Sequence, residues 1–108
     1  MADDLHWMIE FKLTAAGSSR IQAKEITPDY LMQRWKKLWE IMGGSVDIMH
    51  AVLGDFDFVL LGSMENAVKV AGFSLVVAQE GDATASSRQT LTQDQVQSAT
   101  SIPMGVHI

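Results

Sequence analysis

Gly54-Asp55-Phe56-Asp57-Phe58-Val59-Leu60-Leu61 is the stretch that decides how this chain folds. Gly54-Asp55 is a turn pair of the kind that joins two strands of a hairpin. From Phe56 to Leu61 only Asp57 is polar, which suits a central strand covered on both faces. Just upstream, Ser45 to Leu53 reads as its partner strand. The spacing pairs Leu53 with Phe56, Val52 with Asp57 and His50 with Val59.

Outward from this hairpin the pattern repeats. Upstream, Thr27-Pro28-Asp29 opens a helix: Thr27 caps it, Pro28 suits the first helical position and Asp29 complements the positive end. Leu31, Trp35, Leu38, Trp39 and Met42 then form one apolar stripe, and Gly43-Gly44 ends the helix near residue 42. Further upstream, Trp7, Ile9, Phe11 and Leu13 alternate with Met8, Glu10 and Lys12, the period of a half-buried strand over 6–13. Thr14 to Ser19 reads as a loop, and Arg20 to Glu25 as a short helical turn.

Downstream, Ser63 can cap a second helix over 64–79, with Glu65 in its first turn and Gly81 as its stop. Val68, Val70, Ala71, Phe73, Leu75, Val76 and Val77 make this helix apolar nearly all round, so it should be covered on more than one side. Residues 83–91 read as a last strand, rich in small side chains. The order is βαβ followed by βαβ, with the first and third strands central. That is an α+β, ferredoxin-like antiparallel sheet with two helices on one face. Residues 1–95 form the domain and 96–108 a C-terminal tail; the stretch from Thr92 onward, polar and then apolar at Ile102-Pro103-Met104, reads as a short helix followed by a flexible or partner-docked end.

Composition narrows the partners. The chain has 108 residues, 47% hydrophobic and only 19% charged, with a net charge of −5. There is no basic stripe, which argues against nucleic acid and anionic membrane surfaces. With no cysteine, disulfides and thiolate metal sites are ruled out. Met1 to His6 carries Asp3 and Asp4 and does not read as a signal peptide, so a cytoplasmic protein is expected. Two helices cover only one face of a four-stranded sheet. The other face would be a large exposed apolar patch unless a second copy buried it, so a homodimer or higher homo-oligomer is expected.

Val52-Leu53-Gly54-Asp55-Phe56-Asp57-Phe58-Val59 resembles the signature of the GYD-domain family, a Gly-acid-Tyr-Asp hairpin followed by an apolar strand. The resemblance extends over roughly Trp7 to Gln95. It departs at Phe56, which lacks the usual tyrosine hydroxyl, and at the small fourth strand. The resemblance implies the dimeric α/β-barrel group, in which two ferredoxin-like sheets face each other. That wider group includes cofactor-free monooxygenases, isomerases and stress-response proteins, and the resemblance carries no assigned activity.

Candidate sites have paired readings. His50 and Asp57 fall on one face of the hairpin as diagonal neighbours. A carboxylate there can raise a histidine's pKa and fix its tautomer for general-base catalysis. The plainer reading is that Asp57 ties down turn amides and His50 is a polar interface residue. Trp35 and Trp39, one turn apart, are core, or else walls of a substrate pocket between sheet and helices. Glu10 and Lys12 read as a solvated or cross-interface ion pair, or else Glu10 is a catalytic or substrate-binding carboxylate facing a cavity. Ser18-Ser19-Arg20 has the makings of an anion-holding loop; His6 and His107 have no partner in view. Asp55, Asp57 and His50 lack recognised ligand spacing, so neither metal nor cofactor is expected. No P-loop, dinucleotide fingerprint, nucleophile elbow or HExxH occurs. Two functions remain open: binding of a small organic molecule, with or without cofactor-free catalysis, and a non-catalytic oligomerisation or regulatory module.

Overall fold

Alternation in the first strand sets the layers. The computed structural model describes residues 4–52, 57–91 and 93–100. Its elements are β1 (Leu5–Leu13), α1 (Ala15–Gln22), α2 (Pro28–Ile41), β2 (Ser45–Ala51), β3 (Phe58–Met64), α3 (Ala67–Glu80), β4 (Ala83–Thr90) and α4 (Gln93–Thr100). The sheet runs β2-β3-β1-β4, with antiparallel neighbours throughout. β1 and β3 are central, and the fold is ferredoxin-like.

Phe11 pairs with Phe58 and Ile9 with Leu60, so their side chains share the face turned to the helices. All four are buried, together with Trp7 and Met64. α2 contributes Leu31, Trp35 and Trp39, and α3 contributes Val70, Phe73 and Val77. Aromatic rings hold this layer. Phe11 stacks on Trp35 at 4.3 Å between centroids, while Trp35–Phe58 and Trp39–Phe73 meet edge to face at 5.3 and 5.1 Å.

The α2 start is as the sequence dictates. Thr27 Oγ1 accepts from the Tyr30 amide at 3.0 Å, and Pro28 opens the helix. The Trp39 indole N–H is directed at two carbonyls, of Ser45 on β2 and Ser63 on β3, each 3.1 Å away. Gly62 makes this approach possible, since a Cβ there would overlap the Ser45 carbonyl oxygen.

Three local expectations are corrected. Thr14 to Ser19 is not a loop, because α1 begins at Ala15 with Thr14 as its cap. Gly17 lies so close to the Asp82 carbonyl that a Cβ would overlap it, and this packing against the start of β4 is a tertiary contact. Ser18, Ser19 and Arg20 consequently lie on a helix. Ser63 does not cap α3; Asn66 does, accepting from the Lys69 amide at 3.0 Å. Met64 is fully buried and pairs with Leu5, so β3 continues past Ser63. Burial of that side chain outweighs the local cap signal. The short helix expected in the tail is α4, Gln93–Thr100.

The Gly54-Asp55 turn falls outside the described residues, but its flanks are clear. Val52 N–H donates to the Asp57 carbonyl at 2.9 Å, and His50 pairs with Val59, the expected register.

Candidate functional site

Strand register lays out the sheet face opposite the α2–α3 layer. One row runs His50 on β2, Val59 on β3, Glu10 on β1 and Ser86 on β4. The next runs Ile48, Leu61, Met8 and Arg88. The centre is therefore apolar. Met8, Val59 and Leu61 are half-buried, and Ile48 is exposed.

Glu10 interrupts this apolar centre. Only 12% of its side chain is exposed, and Arg88 Nε lies 3.0 Å from its Oε1. Yet Oε1 is buried and accepts no hydrogen bond, so the pair is held by charge without a directed N–H. The partner of Glu10 is thus Arg88, one row along, not Lys12. His50 stands two strands away across Val59, roughly 10 Å by strand spacing, and is exposed.

Asp57 has a different engagement. Its Oδ2 accepts from the Leu13 amide at 2.8 Å, and its own amide donates to the Phe11 carbonyl at 2.8 Å. The residue thus locks the base of the hairpin to the end of β1. Trp35 and Trp39 are 1% and 0% exposed and fill the layer between sheet and helices. Among the sequence-derived candidates, the sheet brings His50 and Glu10 into one row. It holds Asp57 at the hairpin base and Trp35 and Trp39 behind the sheet.

A separate cleft of about 280 Å³ opens at the far end of the helical layer, lined by Arg20, Tyr30, Leu31, Arg34, Glu80 and Asp82. Arg20 Nη1 donates to both Asp82 carboxylate oxygens at 2.8 Å. Arg34 Nε donates to Glu80 Oε2 at 2.9 Å, and its Nη2 contacts the same oxygen. The hydrogen bond from Arg34 to Glu80, and then the charge of Glu80, hold the Arg34 guanidinium above its usual pKa. These pairs join α1 to the turn just before β4, and α2 to α3. The sequence hid them because their partners are 62 and 46 residues apart. Arg88 and Ser86 were missed for the same reason: only the β1–β4 register places them beside Glu10.

Among the described residues no His, Asp and Glu side chains group closely enough to hold a metal ion. No helix there is long and apolar enough to cross a membrane.

The sequence profile of the GYD domain matches residues 7–100. The chain belongs to the GYD-domain family. That match runs from Trp7 on β1 to the end of α4, so the GYD domain takes in every helix described and all of the sheet but the first two residues of β1. No curated protein matches it. Among solved structures the GYD domain is similar to the crystal structure of MtbAldR, at 12% identity and a TM-score of 0.55. The likeness covers 83% of this chain and 55% of that one, so this chain spans about half the length of its neighbour. At such identity the likeness speaks for the fold alone.

Proposed function

We propose that this GYD domain is a self-assembling module that pairs through the open face of its sheet, with oligomerisation as its primary work. The observation that carries the reading is the apolar centre of that face, Met8, Ile48, Val59 and Leu61, which no helix of the α2–α3 layer covers. A sheet face of this kind in water is stabilised by burial against a second copy. The filled core supports the same reading. Trp35, Trp39, Phe11 and Phe73 occupy the layer where a ligand between sheet and helices would have to sit. Val68 and Leu75 on α3 are 79% and 65% exposed, which gives a dimer further apolar surface for higher assembly.

The proposal sets the domain in the cytoplasm, with itself as partner and with neither nucleic acid nor membrane; the net charge of −5 supports this. The test is sedimentation or light scattering of the full chain at micromolar concentration. The expected mass is about twice the 11.9 kDa chain, or a higher multiple. A single species at the chain mass overturns the reading.

A second reading, a small-molecule protein of the cofactor-free enzyme type, has one observation in its favour: the hydrogen-bond acceptor that Glu10 leaves unmet.

A further inference from the structure

Two guanidinium groups line the cleft at the end of the helical layer, and neither meets its own carboxylate fork to fork. Arg20 reaches both Asp82 oxygens through Nη1 alone, and its Nε stands 3.7 Å from Glu25 Oε1, beyond hydrogen-bond range. Arg34 puts Nε and Nη2 on a single oxygen, Oε2 of Glu80. Nη2 of Arg20 and Nη1 of Arg34 therefore make no hydrogen bond among the described residues. A guanidinium carries five donors, so each can take a further acceptor without releasing its present one. The acids lie behind the cations. The side chains of Asp82 and Glu80 are 11% and 27% exposed, those of Arg20 and Arg34 42% and 45%. The charges cancel in number, but the cleft presents mainly guanidinium to solvent. Both ion pairs tie a helix to a neighbouring segment, so the cations are held in place before any ligand arrives.

The rest of the lining suits a ring. Tyr30, on the first turn of α2, is 53% exposed, and Leu31 beside it is apolar. An engineered cavity of roughly 150 Å³ holds benzene. The cleft, at about 280 Å³, has room for one ring with a short acid group. We propose that it binds an aromatic monocarboxylic acid, with the carboxylate on the unengaged donors of Arg20 and Arg34 and the ring lying on Tyr30. A carboxylate brings one negative charge. A phosphate monoester brings closer to two, into a site whose own acids already balance its guanidiniums, and is disfavoured. The cleft is formed within one chain and away from the open sheet face, so its occupancy does not depend on self-assembly.

The test is titration of the full chain with benzoate, followed by amide-resonance NMR, which reads both the affinity and the place. Benzoate should saturate in the millimolar range or below, with the shifts concentrated at Tyr30, Leu31, Arg34 and Asp82. Benzamide has the same shape without the charge and should bind at least about 10-fold more weakly, the ratio expected when a charged hydrogen bond is lost. Arg34→Gln should weaken benzoate by at least about 10-fold, and Tyr30→Ala by about 3-fold or more. Lys69→Gln removes the same charge about three turns along α3 from Glu80 and should leave the affinity unchanged. No saturation, equal binding of benzamide, or shifts centred elsewhere overturns the site. An equal loss in Lys69→Gln does so too, because general charge attraction would then account for the binding. Tighter binding of phenyl phosphate overturns the carboxylate assignment. Should Arg34→Gln not fold, the benzoate-to-benzamide ratio and Tyr30→Ala, at an exposed position, decide between the same outcomes.

Discussion

Leu61→Lys separates the two sides of the sheet. Leu61 pairs with Met8 and with Ile48 at the centre of the open face and is half-buried in the single chain. Burying a leucine side chain completely contributes about 1.5–3 kcal/mol. Roughly half of that remains to be gained on assembly, so each copy loses about 1 kcal/mol and a two-fold dimer about 2 kcal/mol. Two ammonium groups would also be carried into the interface, at several kcal/mol each unless their stems reach water. Taking only about 1 kcal/mol for each ammonium gives a total near 4 kcal/mol, or about 1000-fold in Kd. The folded single chain loses little, because Leu61 points away from the ring-stacked core. Sedimentation velocity across a micromolar series reads the Kd, and circular dichroism checks the fold. Expected is a folded monomer at concentrations where the wild type is assembled. A Leu61→Lys chain that sediments like an assembled wild type would refute the open face as the interface.

Trp35→Ala removes the partner of Phe11 and Phe58 from a site 1% exposed, and should lower stability by about 3–5 kcal/mol in denaturant titration. A loss below 1 kcal/mol would show that the ring is not core. Two glycine substitutions should move in opposite directions. Gly62→Ala drives a methyl into the Ser45 carbonyl and should cost about 1–3 kcal/mol. Gly72→Ala, inside α3, meets only the flexible end of Met42 at 3.3 Å and should stabilise by about 0.5 kcal/mol. Thermal melts would check both, and equal shifts would contradict the close contact at Gly62. Asp57→Ala removes the acceptor of the Leu13 amide and should cost about 1–2 kcal/mol, with faster hydrogen exchange at Leu13 as its signature. Unchanged exchange there would remove Asp57 from its locking role.

Local chemistry made much of this protein legible from its sequence. The alternation of Trp7, Ile9 and Phe11, the Thr27-Pro28 start and the unbroken run from Phe58 to Leu61 each depend on neighbours a few residues away. They specified the strands, the two long helices and the order of the sheet. Where a contact between distant segments decided, the reading went astray. α1 forms from a Gly- and Ser-rich stretch because Gly17 lets it lie on the Asp82 carbonyl, and β3 outruns the Ser63 cap because Met64 is drawn into the core. The candidate site divides the same way. Period-two alternation already put Glu10 on the polar side of β1, and the hairpin register put His50 opposite Val59. That Arg88 and Ser86 stand beside Glu10 is a property of the β1–β4 register, which joins residues 70 to 84 positions apart. Likewise, no spacing in the chain says whether Trp35 and Trp39 line an opening or fill one. That depended on how closely Phe11, Phe58 and Phe73 approach them once sheet and helices pack, and the rings meet at contact distance.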